Sequence, residues 1–376
     1  MEYGISRTSK EDTILFTGGG TGGHIYPNLA LIPEFEKRGF KTVYAGGVGD
    51  TPEKRLAMLN GIPYFEVPSI KLIRSVSPKA VKNNIKIPFT LSKCVRSASE
   101  LLKRIRPCAV FSKGGFVSLP LTLAAAKLNI PVFCHESDLT LGLANKIAAS
   151  KGATVFCANP HSAFKGVCVG MPLRDSLFSY SSQSAKMRLS VPTGVKTLLI
   201  LGGSSGAQIL NDAVKKNFDE LTKKYFVLHV CGNGKQSGLP ERAHNYRRYD
   251  YADDIALFYA ASDVVLSRAG ATAVYEISAL KKRAVFVPLP KGISRGDQLD
   301  NAELAKEYGA GVLYQNERFF DDFVSSIENA LQNPPMRAVA DDANGKIANF
   351  VCDSIRRGVK CKDKKLSQNG LRSSSF

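Results

Sequence analysis

Two hydrophobic runs in this chain each lead directly into a glycine-rich loop, and each loop opens a helix-compatible segment. The first is Thr13–Thr17 followed by Gly18-Gly19-Gly20-Thr21-Gly22-Gly23-His24; the second is Thr197–Leu201 followed by Gly202-Gly203-Ser204-Ser205-Gly206-Ala207. Glycines let backbone N–H groups approach an oxyanion closely, and the positive end of the following helix favours that anion. One such unit marks a phosphate site at best. Two, each heading its own half, predict a two-domain α/β protein that holds a phosphorylated ligand between its halves.

The rest of the chain follows the same alternation. Short β-branched runs at Lys41–Ala45, Tyr64–Val67, Ala109–Ser112, Val132–His135, Thr154–Cys157 and Val167–Val169 are separated by helical patterns such as Leu119–Leu128 and Leu141–Ala149. The second half repeats it, with strands expected at Phe226–Val230, Asp263–Leu266 and Ala284–Pro288. Its expected helices are Ala207–Leu221, Asp254–Ala261, Thr272–Leu280, Leu299–Tyr308 and Phe320–Leu331. Alternation of this kind is the signature of parallel βαβ units. The expected domains are residues 1–170 and 171–335, then a helical segment 336–358 and a basic, Ser-rich tail 359–376 expected to be disordered. At 376 residues the chain is too long for one ordinary core, and 44% hydrophobic residues can fill two.

A net charge of +18 points to an anionic partner: nucleic acid, a membrane surface or a phosphorylated substrate. Ten Lys/Arg and the single acid Glu100 fall within Ile70–Pro107, with Leu72, Ile73, Val76, Ile85, Ile87, Phe89, Leu91 and Val95 interleaved. That pattern favours lipid head groups. Nucleic acid is the rival, but only Phe89 offers a stacking ring there. Residues 1–12 are polar and no run reaches about 18 apolar residues, so any membrane contact is expected to be peripheral. The eight cysteines include no C-x-x-C pair; Cys108, Cys134, Cys157, Cys168 and Cys231 lie in apolar strand-like runs and read as reduced core residues of a cytosolic protein.

Gly18–Gly23 formally satisfies G-x-G-x-x-G, but the acidic residue that a dinucleotide ribose requires is reached only at Asp50, beyond further glycines. Neither loop carries a Walker pattern. His24 either caps its helix or acts as base for a sugar hydroxyl, a task a neutral imidazole suits. Glu136 and Asp138, in His135-Glu136-Ser137-Asp138, end a strand at the carboxyl edge where ligands of open sheets bind; helix capping is the other reading. Arg268–Glu276 is again strand, small-residue turn and helix, with Glu276 placed about one turn inside, where a carboxylate can accept from vicinal ribose hydroxyls. Arg295 in Ser294-Arg295-Gly296-Asp297-Gln298 suits phosphate and Gln298 suits sugar hydroxyls, unless this is simply a surface loop with a capping Asp. No D-x-D occurs, so charge on a nucleotide leaving group would be met by helix ends and cationic side chains rather than a chelated metal.

Together these blocks resemble the MurG family, the N-acetylglucosaminyltransferases that convert undecaprenyl-pyrophosphoryl-muramoyl-pentapeptide (lipid I) to lipid II. The resemblance runs from about Ile14 to Asn333. It rests on Gly18–Pro27, Gly114–Ser118, His135–Asp138 with Gly142–Lys146, Gly202–Ala207, Arg268–Glu276 and Gly296–Gln298 with Asn301. It implies a GT-B fold of two Rossmann-like domains, no cofactor or metal, and a peripheral place on the cytoplasmic face of the membrane. It further implies that Thr21, Gly22, Gly23 and His24 face the reacting sugar and acceptor pyrophosphate, with Glu136 the second candidate base. Arg174, Ser204, Ala271, Thr272 and Gln298 would hold the UDP-N-acetylglucosamine donor, Glu276 its ribose, and backbone near Ala252 its uracil. Many members carry Gln-Asn where this chain has Ser137-Asp138, which bears on whether Asp138 contacts donor. A UDP-sugar 2-epimerase, a glycolipid synthase of the same fold and a non-enzymatic nucleic-acid binder are the other readings.

Overall fold

The computed structural model describes residues 12–70, 87–203, 206–235, 238–292, 296–338 and 342–370, with side chains described except at 87–88 and 358–370. The chain divides into two units. One takes in Met1–Glu136, Thr140–Pro172 and Asp342–Phe376; the other takes in Ser137–Leu139 and Leu173–Asp341.

The first unit is built on seven parallel strands: β1 (Thr13–Thr17), β2 (Lys41–Gly46), β3 (Tyr64–Glu66), β4 (Ala109–Ser112), β5 (Val132–Glu136), β6 (Thr154–Cys157) and β7 (Val167–Cys168). Their order is β3-β2-β1-β4-β5-β6-β7. The near-continuous apolar runs of β1, β4 and β5 are buried along their length, as strands covered on both faces must be. One face carries Phe16, Phe35, Phe111, Phe133 and Phe156; the other carries Leu15, Val110, Cys134, Leu121 and Leu102. The order reverses between β1 and β4, whose ends lie level because Thr17 is in register with Ser112. In an open parallel sheet the loops leaving the carboxyl ends at such a reversal form the ligand crevice. Here those loops are Gly18–Thr21 and Lys113–Ser118.

The second unit repeats the plan with β8 (Thr197–Leu201), β9 (Phe226–Val230), β10 (Arg242–Ala243), β11 (Tyr246–Tyr249), β12 (Val264–Ser267), β13 (Arg283–Phe286) and β14 (Gly311–Val312), ordered β10-β11-β9-β8-β12-β13-β14. Among the described residues of this unit, only the short β10–β11 pair is antiparallel. The reversal falls between β8 and β12, with Leu201 in register with Ser267. Both sheets therefore aim their motif-bearing loops from a switch point.

Three expectations need correction, and three strands were not expected at all. The single helix expected over Ala207–Leu221 is two, Gln208–Lys216 and Phe218–Lys224, because Asn217 turns its amide back to the Ala213 carbonyl at 3.0 Å. β10, β11 and β14 carry too few apolar residues to read as strands; β10 and β14 form as the edges of the sheet and β11 forms between β10 and β9. Cys168 is exposed on β7, the edge strand of this sheet among the described residues. Residues 359–370, expected to be disordered, continue a helix that runs Ala343–Gly370. Its start is nucleated by burial of Ile347, Ala348, Val351, Cys352 and Ile355 against Leu31 and Phe35 of the first unit, and Lys, Leu and Gln then propagate it at low cost. Arg38 anchors the same helix through Asn349 at 3.0 Å. Among the described residues, no helix is long and apolar enough to cross a membrane.

Candidate active site

In the first unit the glycine loop after β1 is pinned from beneath. The Tyr44 hydroxyl donates to the Gly18 carbonyl at 2.6 Å, and Asn28 donates to the Thr17 carbonyl and to Tyr44. The helix Gly22–Glu36 then starts with Thr21 as its N-cap in extended conformation. Thr21 Oγ1 lies 3.2 Å from His24 Nδ1, so the hydroxyl sets the orientation of the ring at the mouth of β1. The loop after β4 completes this corner. Gly115 has φ +82°, and a Cβ there would sit 3.0 Å from the Gly19 carbonyl and 3.4 Å from His24 Nδ1. Only glycine lets the two loops and the imidazole meet.

One carboxylate in this corner was not singled out from sequence. Glu53, 1% exposed, lies in the first turn of the helix Pro52–Leu59, and its carboxylate accepts from Gly20 N at 3.3 Å and Gly47 N at 3.2 Å. The Gly20 donor, read from sequence as part of an oxyanion cradle, is thus already engaged.

Glu136 ends β5. Its Oε2 accepts from Gly142 N at 2.8 Å and from Asn145 Nδ2 at 3.1 Å, so it ties the turn after β5 to the start of the helix Leu143–Ser150. Asn145 also donates to the His135 carbonyl. The preceding His135 is fully buried, Nε2 to the Gly170 carbonyl at 2.9 Å, and burial with Lys113 nearby pushes its pKa well below the ordinary imidazole value. It is a neutral structural group.

In the second unit Glu276 is the centre. It lies on the helix Ala271–Ala279, which starts behind N-cap Gly270 without a side-chain cap and so presents its first N–H groups at Ala271 and Thr272. The carboxylate is 6% exposed; Tyr259 donates to its Oε2 at 3.3 Å and Arg174 approaches its Oε1 at 3.5 Å. Burial raises the Glu276 pKa, and the Arg174 charge with both hydrogen bonds pulls against that rise. Gln298 uses its Oε1 to accept from Leu289 N at 3.1 Å, which joins the start of the helix Asp297–Glu307 to the loop after β13. Asn301 donates to the Ala269 carbonyl and to Asp138, which groups with this unit. Ala252 is buried beyond the end of β11. Ser204 and Arg295 lie outside the described residues.

Behind the second glycine loop a buried network holds the scaffold. Asn211 gives its amide N–H groups to the Cys231 and Lys235 carbonyls, so its oxygen faces His229 Nε2 at 3.0 Å. Nε2 therefore carries the proton, and Nδ1 accepts from the Tyr246 hydroxyl at 2.9 Å. Burial and Arg248 lower the His229 pKa to about 3. Neither Tyr246 nor Asn211 carries a recognisable motif.

Comparison with known proteins decides the family. Over 359 residues the chain is 37% identical to the UDP-N-acetylglucosamine--N-acetylmuramyl-(pentapeptide) pyrophosphoryl-undecaprenol N-acetylglucosamine transferase of Clostridium perfringens (strain SM101), covering 93% of this chain and 99% of that one. The chain belongs to the MurG family. The identically named MurG-type protein of Lachnospira eligens is 40% identical over 310 residues, 81% of this chain and 86% of its own. The glycosyltransferase family 28 N-terminal domain model matches residues 14–157 and the C-terminal domain model residues 197–355. The fold is that of the Acinetobacter baumannii MurG crystal structure, with TM-score 0.65 at 23% identity over 93% of this chain and 100% of that one. The Neisseria meningitidis UDP-GlcNAc 2-epimerase shares the fold at TM-score 0.65 and 12% identity, covering 92% of this chain and all of that one. Fold alone therefore does not separate epimerase from MurG-type transferase; sequence identity does.

Proposed function

We propose that this chain transfers N-acetylglucosamine from UDP-N-acetylglucosamine to the muramoyl 4-hydroxyl of lipid I with inversion at the anomeric carbon, yielding lipid II. The observation that carries the reading is the match at 37% identity across 93% of the chain, and 99% of the relative, to a transferase of that name. Inversion needs one displacement: the acceptor hydroxyl attacks the anomeric carbon opposite the UDP leaving group while a base takes its proton. His24, oriented by Thr21, is the base; Glu136, already holding Gly142 and Asn145, is the second candidate and serves chiefly to shape the turn. Thr21, Gly22 and Gly23 line the acceptor side.

The donor belongs to the second unit. The first N–H groups of the helix Ala271–Ala279, with Ser204 and Arg174, meet the negative charge that develops on the UDP β-phosphate. Glu276 accepts from the ribose hydroxyls, Gln298 contacts the sugar, backbone near Ala252 meets the uracil, and Asp138 orients the donor through Asn301. No cofactor or metal takes part in this scheme.

The enzyme works at the cytoplasmic face of the membrane as a peripheral protein and does not use nucleic acid. Within the basic stretch, Phe89 is 79% exposed, and Lys93, Arg96, Lys103 and Arg104 stand on the outer face of the helix Ile87–Ile105 while Val95, Ala98 and Leu102 are buried. The remainder of the stretch, with Lys79, Lys82, Lys86 and Ile85, lies outside the described residues. Incubation with UDP-N-acetylglucosamine and a lipid I analogue tests the function: appearance of the disaccharide-pyrophosphoryl product supports it, and release of free N-acetylglucosamine or an epimerised UDP-sugar alone overturns it.

A further inference from the structure

Glu53 is nearly absent from the surface, sits at the positive end of its own helix and donates nothing, yet two separate loops converge on it. Besides accepting from Gly20 N and Gly47 N, its carboxylate fills the space that a side chain would take at Gly19. A Cβ on Gly19 would lie 2.6 Å from Glu53 Cδ and within 2.9 Å of both carboxylate oxygens, whereas one on Gly46 would meet the Tyr64 hydroxyl at 2.5 Å before Glu53 Cγ at 2.9 Å, and one on Gly47 would lie 3.2 Å from both Glu53 Oε1 and Thr51 Cγ2. Glycine at position 19 leaves room for a carboxylate supplied by the protein itself. A free phosphate oxygen would compete with Glu53 for the Gly20 donor.

We propose that Glu53 is a positioning residue: a built-in anion that occupies the inner cradle of the first glycine loop and thereby fixes the Thr21–His24 turn for the reaction. The inference rests on the transferase reading for its catalytic consequence, though not for the clamp itself. The acceptor's pyrophosphate is then met by the first turn of the helix Gly22–Glu36 rather than by Gly20. Glu53 acts through the loop and touches no substrate, so its loss lowers turnover without altering donor affinity.

The test is chemical rescue with a small carboxylate. Glu53→Ala leaves the Gly20 and Gly47 N–H groups without an acceptor, and formate is small enough to replace the missing group. The expected result is a fall in kcat of about tenfold or more with the UDP dissociation constant unchanged. Saturable recovery in sodium formate is expected, absent in sodium chloride and absent for the unsubstituted enzyme. Wild-type kcat in a folded Glu53→Ala protein, or a loss on which formate has no effect, overturns the proposal. Should Glu53→Ala fail to fold, Glu53→Gln decides: its amide accepts one N–H but opposes the other with a donor, so lowered kcat with unchanged UDP affinity supports the clamp and wild-type kcat overturns it. A saturable formate-induced rise in Tm, seen in Glu53→Ala and not in the unsubstituted protein, reads the cradle without any turnover. Loss of transferase activity in the unsubstituted protein would instead count against the function.

Discussion

Glu276 has to be buried and charged at once. Burial favours its protonated form, and Arg174 and Tyr259 hold it toward the carboxylate, the form that the proposed contact with ribose hydroxyls uses. Because its pKa is raised, UDP affinity should fall on acidification at a pH above that at which an ordinary Glu would titrate. Calorimetry of UDP binding against pH reads this directly. Glu276→Ala should weaken UDP binding by tenfold or more, since hydrogen bonds to a charged acceptor are each worth about 1.5–3 kcal/mol, and should remove that acidic limb. His24→Ala should lower kcat by roughly 10²-fold while leaving the UDP dissociation constant near wild type. A rise confined to the acceptor KM would make His24 a substrate-positioning group instead. Glu276 and His24 were singled out in the sequence as candidates because each stands at a fixed offset from a glycine or small-residue turn. Tyr259 and Glu53 were not: each looks like an ordinary helix residue, and their roles arise only when segments 17 and 33 positions away are brought alongside.

At the scale of elements, strands with continuous apolar runs such as β1, β8 and β9 could be placed from sequence to the residue, because burial on both faces leaves no other arrangement. Strands without an apolar run could not: Tyr246-Arg247-Arg248-Tyr249 becomes β11 by pairing with β9 on one side and β10 on the other. The paired strands also carry a pH liability. His135 on β5 and His229 on β9 are both buried neutral, with pKa values depressed by burial. A base whose folded pKa is depressed contributes stability above its unfolded pKa, near 6.5, and loses it as pH falls, because the unfolded chain gains the proton first. Each should therefore cost about 1.4 kcal/mol of stability per pH unit below about 6. Urea unfolding between pH 6 and 5, before most carboxylates titrate, should show that loss, and His135→Asn should reduce the slope by about half. A halved slope in the unsubstituted protein would mean that one imidazole is charged in the fold, and a flat profile that both are.

For the whole molecule, the two-unit plan and the match between motifs and switch points were legible, because each glycine loop follows its own buried strand. The return of the helix Ala343–Gly370 to the first unit was not, since nothing local in Ile347, Val351 or Ile355 names the surface they cover. The charge of +18 belongs to this scale. With about 1 kcal/mol per Lys or Arg near an anionic surface, three or four engaged cations give reversible docking. Replacing Lys79, Lys82, Lys86 and Lys93 with Gln should abolish sedimentation with anionic vesicles and spare turnover of a water-soluble acceptor analogue. Salt-insensitive binding that survives the change would contradict electrostatic docking.

The reaction itself is tested most directly by the configuration of its product. UDP-N-acetylglucosamine carries an α-linked sugar, and a single displacement by the muramoyl 4-hydroxyl inverts it. Proton NMR of the disaccharide formed from a lipid I analogue should therefore show a β-1,4 linkage. An α-linked product, or sugar transferred only to water, would contradict the account.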